Sequence, residues 1–253
     1  MRLPKFLRAA PSAPPPVKDE TFELTFDRAQ VRVAVKRVAS SRRFTLRVRA
    51  ANRDVVLTMP KRASAKEAKA FAERHAGWVL ARLARLPKTI EFAPDSIVPL
   101  RGIDHRLTHV EDSRAAAAID VAGEEPRIRV GGDPAFFGRR VEDFLKREAR
   151  RDLERSVADY CAKIGMARAP LTLRDTSSRW GSCTVSGHLN FSWRLILAPD
   201  YVLDYLAAHE AGHLRHMNHS PAFWRLVQGM CPATDRAEAW LKAHGAQLHR
   251  YGG

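Results

Sequence analysis

The stretch Leu206–His219, LAAHEAGHLRHMNH, constrains this chain more than any other. It contains His209-Glu210-Ala211-Gly212-His213, with a further histidine, His219, six residues on. On a helix His209 and His213 lie one turn apart on one face, so both imidazoles can reach a single metal ion. Glu210 sits beside them, where a general base for water at that ion would sit. At about 100° per residue, Val202, Leu203, Leu206, Ala207, Leu214 and Met217 share one apolar arc. His209, Glu210 and His213 enter or border that arc, while Asp204, Ala208, Ala211 and Arg215 point away. Burying two imidazoles and a carboxylate costs on the order of several kcal/mol unless something binds them, and a divalent ion does.

A third ligand has to come from nearby. His216 lies about 10 Å along the axis from His209, too far for one straight helix to place both about 2 Å from a metal. His219 is better placed. Asn218 reads as a helix terminator, and Ser220-Pro221 as the N-cap and first position of a new helix, so the chain turns where His219 can fold back. Three neutral nitrogens leave a fourth position for water, the pattern of catalytic rather than structural zinc. The expected cofactor is one Zn2+ per chain on His209, His213 and His219.

The chain of 253 residues is long enough for one large or two small domains. No uninterrupted apolar run approaches 18 residues, so no membrane span is expected, and the N-terminus lacks the apolar core of a secretory signal. Cys161, Cys183 and Cys231 are too few and scattered for a disulfide framework, which points to a cytoplasmic protein with reduced thiols. The net charge is +15, and between Arg28 and Arg53 nine Lys or Arg occur with no acid. That run reads either as a face for nucleic acid or an acidic substrate, or as the solvated side of arginine-rich strands.

In chain order, residues 1–20 are Pro- and Ala-rich and read as a disordered or surface arm. Two-residue alternation from Thr21 to Met59 predicts a small antiparallel sheet with Arg on its outer face. Ser64 caps a helix expected to run to about Leu86, with Trp78 and Val79 on its apolar stripe. Short strands follow through residue 130, with His105 and His109 at surface positions. Asp133-Pro134 starts a helix of about thirty residues ending at Gly165. Then come strands around Leu171 and Leu189, the polar, aromatic stretch Ser177-Ser-Arg-Trp-Gly-Ser-Cys, the histidine helix and a last helix from about Asp235 to Arg250. Arg179 in that stretch is a candidate to hold a developing oxyanion, with a structural role the alternative. The expected organisation is α+β: the arm 1–20, a β-rich region 21–130 containing a helix, and a helical domain 131–253 with a small sheet.

Arg179-Trp-Gly-Ser-Cys, the Leu189…Trp193-Arg-Leu stretch and His209-Glu-x-x-His-Leu-x-His-x-Asn-His-Ser-x-x-Phe-Trp224 together resemble the YgjP-like family, bacterial metal-dependent hydrolases of the zincin type. Ser40-Ser-Arg-Arg-x-x-Leu-Arg-Val and the helix carrying Trp78 also look like that family. The resemblance covers roughly residues 21–250. It implies a zincin-like C-terminal domain, zinc on the three histidines, Glu210 as catalytic base, and kinship with the WLM and SprT-like proteases, which act on proteins crosslinked to DNA. Gly212 departs from it, since relatives usually carry Ala or Leu there; glycine either loosens the helix or permits close packing. The expected activity is hydrolysis of peptide or protein substrates. The alternatives are a zinc hydrolase of nucleotides or phosphoanhydrides, and a protease associated weakly with nucleic acid through the basic N-terminal region.

Overall fold

The computed structural model describes residues 20–26, 29–49, 54–86, 88–111, 116–123, 125–176 and 178–252. The arm expected at residues 1–20 falls almost wholly outside them, as do Arg28, Arg53 and Ser177. The chain forms two compact units that divide between Lys88 and Thr89.

In the first unit, β1 (Glu20–Phe26), β2 (Ala29–Val38), β3 (Thr45–Arg49) and β4 (Asp54–Pro60) form one sheet in the order β1-β2-β4-β3. The sheet is mixed rather than antiparallel, because β2 and β4 run parallel at its centre. Alternation could not distinguish the two, since side chains alternate with the same period in both. Val33, Val35, Val55, Leu57 and Met59 face α1 (Ala65–Arg74) and α2 (Ala76–Ala84), whose Ala68, Ala72, Ala76 and Val79 complete the core. Ser64 and Glu67 make a full capping box at the start of α1. The expected single helix breaks at His75, whose ring bonds back to the Phe71 carbonyl at 2.8 Å. Trp78 is not on the buried stripe; it is 53% exposed, and the smaller Val79 takes the inward place.

The second unit opens with a sheet of the same topology. It contains β5 (Ile97–Leu100), β6 (Ile103–Val110), β7 (Ala118–Asp120) and β8 (Arg127–Gly131) in the order β5-β6-β8-β7, with a parallel central pair. The cores therefore do not divide at 130/131. Val98, Leu100, Leu107, Ile128 and Val130 share one core with α3 (Phe137–Lys163), because the apolar stripe of that long helix needs a sheet face to cover it. His105 is buried, not at the surface, with its ring against the Ile103 carbonyl, and His109 bonds to Gly132 O. The other side of α3 carries i,i+4 ion pairs such as Lys146–Glu142.

β9 (Leu171–Arg174), β10 (Gly181–Cys183) and β11 (Leu189–Ser192) make a third sheet, with β11 between the other two. A 3-10 turn over Trp193–Leu197 leads into α4 (Asp200–Gly212). α4 packs against α3, β10, α5 (Pro221–Met230) and α6 (Thr234–Leu248). It is therefore buried nearly all round: Ala208 and Ala211, expected to face away, are fully buried, and half-buried Asp204 accepts from Tyr160 Oη at 2.6 Å. The helix ends at Gly212, so Met217 lies beyond it and is 46% exposed instead of on the stripe. Among the described residues no helix is long and apolar enough to cross a membrane.

One buried cation ties the end of the chain to this assembly. Arg194 donates to both oxygens of Asp175, at 2.7 and 3.0 Å, and to the carbonyls of Leu248 and Tyr251. Beside it His249 stacks on Trp180, ring centroids 4.8 Å apart. Burial, and then the Arg194 charge, push His249 from 6.5 down to about 4. The folded protein therefore resists a proton that the unfolded chain accepts. Stability from this residue is full above pH 6.5 and is lost as pH falls towards 4. Between pH 7 and 5.5 the loss should be about 1 kcal/mol. Urea midpoints at the two pH values should fall less in His249→Gln than in the wild type.

Candidate metal centre

α4 brings His209 and Glu210 into the interior and ends just before His213. The chain then turns through Leu214–Asn218, and α5 begins at Pro221 with Ser220 accepting from Phe223 N. That return carries His219 back over α4. One nitrogen of each of His209, His213 and His219 lies within 4.8 Å of the others. His219 Nε2 is 3.1 Å from His209 Nε2.

Outer partners fix which nitrogens face inward. His213 Nδ1 donates to the His216 carbonyl at 3.0 Å, leaving Nε2 as the free acceptor. So His216 enters the site through its backbone and not its ring. Tyr205 Oη donates to Glu238 Oε1 at 2.8 Å, and burial keeps that phenol protonated far above neutrality. His209 Nδ1, 3.3 Å from Tyr205 Oη, is then the donor of its pair, and its Nε2 lone pair also turns inward. Burial depresses all three histidines, most strongly His209, where the neighbouring rings add to it; His219 falls to about 4. They are neutral imidazoles at pH 7, the form that binds a metal.

Glu210 is 3% exposed, and its Oε2 is buried with no hydrogen-bond partner among the described residues. Burial pushes its carboxyl up to about 8, with Arg179 pulling the other way. The cluster thus has converging lone pairs and an orphaned acid, and it lacks a positive charge. A divalent ion fits that deficit. Nitrogens sharing one zinc ion lie about 3.3 Å apart, close to the 3.1 Å between His219 Nε2 and His209 Nε2, and all three ligand nitrogens lie within 4.8 Å of one another. Cys183 is in the same field; burial and Glu210 push its thiol up to about 11.

Two glycines let the parts approach. A Cβ on Gly181 would overlap the Glu210 side chain, with Glu210 Cγ at 2.8 Å, so the carboxyl lies against the backbone of edge strand β10. A Cβ on Gly212 would lie 2.9 Å from Val227 Cγ2 and 3.1 Å from Phe223 Cε2. Of the two readings of Gly212, the structure supports close packing. It lets α5 press Phe223 onto the histidines, stacked on His213 at 4.5 Å between centroids and 4.9 Å from both other rings. Trp224 covers His209 and His219 at 5.7 Å.

Arg179 is half-buried in the loop before β10, held by a bond from Thr176 Oγ1 to its carbonyl, and its charge is felt at Glu210. The sequence reading missed Tyr205 and Glu238. Tyr205, four residues before His209, could have been found by helical spacing. Glu238, on α6, could not.

Gly212→Ala should destabilise the protein by about 1–2 kcal/mol. Its gain in helix propensity, up to about 1 kcal/mol, is outweighed by overpacking against Val227 and Phe223. Urea unfolding of the two proteins checks the sign.

The YgjP-like metallopeptidase domain model matches residues 42–244. No curated protein and no solved structure matches the chain. The match spans both units and takes in the histidine cluster, Glu210 and the Arg179–Cys183 stretch, and so covers well over half of the sequence. The chain belongs to the YgjP-like family of metallopeptidases.

Proposed function

We propose that this metal-dependent peptidase is a zinc enzyme with His209, His213 and His219 as ligands and Glu210 as general base. The observation that carries the reading is the orphaned Glu210 carboxyl beside three converging, neutral imidazoles. Zinc held there would supply a Lewis acid that brings the pKa of water towards 7. Glu210 takes the proton of the attacking water and delivers it to the leaving amine. Arg179 stabilises the negative charge that develops on the carbonyl oxygen.

Among the described residues β10 pairs with β11 on one side only, and Glu210 lies against it at Gly181. An extended peptide added along that edge takes main-chain hydrogen bonds and brings its carbonyl to Glu210. The Phe223–Trp224 wall narrows the other side of the histidine cluster.

Glu210→Gln should retain the metal in elemental analysis and lose peptide hydrolysis by about 10²–10⁴-fold, the usual weight of general base catalysis. A peptide panel run beside nucleoside triphosphates tests the substrate class, and turnover of the triphosphates alone would overturn the reading. Glu238→Ala should leave Tyr205, the outer partner of His209, without its anchor and weaken metal retention against a chelator by about 10–100-fold, with Tyr205→Phe acting in the same direction.

A further inference from the structure

Most of the net positive charge of this chain lies in one unit. Residues 13–88 hold 18 of the 43 Lys and Arg but 7 of the 28 acids, a net of +11 out of +15. One face of the β1-β2-β4-β3 sheet is covered by α1 and α2. The register decides what stands on the other. One row across it reads Glu23, Arg32, Asp54, Arg49, where acids alternate with bases and Arg49 binds Asp54 at 2.7 Å. The next row reads Thr21, Ala34, Val56, Arg47, and the one after runs Lys36, Thr58, Thr45. Beyond its end the β2–β3 loop carries Arg42 and Arg43. The face is therefore a floor of small side chains with exposed bases around it.

Arg32, Lys36, Arg42, Arg43 and Arg47 are all exposed, and none has an ion-pair partner among the described residues. Bases along α3 of the second unit are arranged differently. On α3, Arg139 faces Asp143, Lys146 Glu142, Arg150 Glu154, and Arg151 Glu148, while Arg129 faces Asp120 on the sheet. Beyond the row in which acids alternate with bases, Lys36, Arg42, Arg43 and Arg47 repel each other, and a polyanion relieves that repulsion while releasing its own counterions.

We propose that the open face of this sheet, with the β2–β3 loop, binds nucleic acid through the phosphate backbone. Arg32 and Lys36 are four residues apart on β2, about 13 Å, and β3 lies two strands away, about 10 Å. The bases are thus spread along a backbone rather than gathered round one phosphate. Recognition is independent of sequence, because Phe22 and Phe44 pack towards the helices and leave no aromatic side chain of the described residues on the open face for a base to stack on. A lipid surface fits less well: no large apolar side chain is exposed on this face among the described residues, and Trp78 stands on α2, on the other side of the sheet. The proposal does not rest on the zinc mechanism.

The test uses the full chain and a fluorescein-labelled 20-base-pair DNA duplex of arbitrary sequence, with anisotropy read from 50 to 200 mM salt. Five phosphate contacts give a slope of log K against log salt of roughly −4.5, a loss of several hundred-fold across that range. The variant Arg42→Gln, Arg43→Gln, Arg47→Gln should bind at least tenfold more weakly and lower the slope by roughly three units. The control variant Arg139→Gln, Arg150→Gln, Arg155→Gln, on α3, should bind like the wild type. Peptide hydrolysis and circular dichroism should be unchanged in both. No binding at 50 mM salt, equal loss in both variants, or binding to phosphatidylserine vesicles but not to the duplex would each overturn the proposal.

Discussion

A carboxyl group and two imidazoles on the inward side of α4 have to be compensated, and the elements packed round that helix supply the partners. The backbone after α4 takes the Nδ1 proton of His213. Tyr205, one turn earlier on α4, meets His209, and Glu238 on α6 anchors Tyr205. The return into α5 brings His219. Each partner leaves a lone pair directed inward and raises the local demand for a cation. Glu210 Oε2 has no hydrogen-bond partner among the described residues. In a low-dielectric interior that arrangement is stable only with something positive or protonated in the middle, and it is poised for chemistry for the same reason.

Close approach is the second condition. Gly181 lets the Glu210 side chain rest on a strand backbone, and Gly212 lets α5 touch α4. The loop that carries Arg179 is fixed from both ends, by the Asp175–Arg194 pair and by Trp180, which packs between His249 and Gly245. The C-terminal helix thus holds the wall of the site without contributing a reacting group.

The two four-stranded sheets show how one topology serves different surroundings. Both have a parallel central pair flanked by antiparallel edges, and both are followed by helices that cover one face. In the second unit the helix is long, its buried stripe fuses with the sheet in a single core, and its arginines meet acids. In the first the core is small, and on the open face Lys36, Arg42, Arg43 and Arg47 have no ion-pair partner among the described residues. Strand positions were readable in both, from alternation in the first and as short strands in the second. The strand order was not, because pairing joins residues far apart in sequence and period two is indifferent to direction.

The sequence by itself determined the elements that are local in origin: the capped start of α1, the long stripe of α3, the Ser220-Pro221 start of α5, and the pairing of two histidines one turn apart with Glu210 beside them. Short-range periodicity and capping chemistry are written in adjacent residues, so they can be read there. Tertiary structure alone decided that 97–131 joins the C-terminal core, that His105 is buried and Trp78 exposed, that Glu238 stands behind Tyr205, and why Gly212 is a glycine. Each of these depends on which surface meets which across long stretches of chain, and burial and close contact are properties of that meeting, not of the residue.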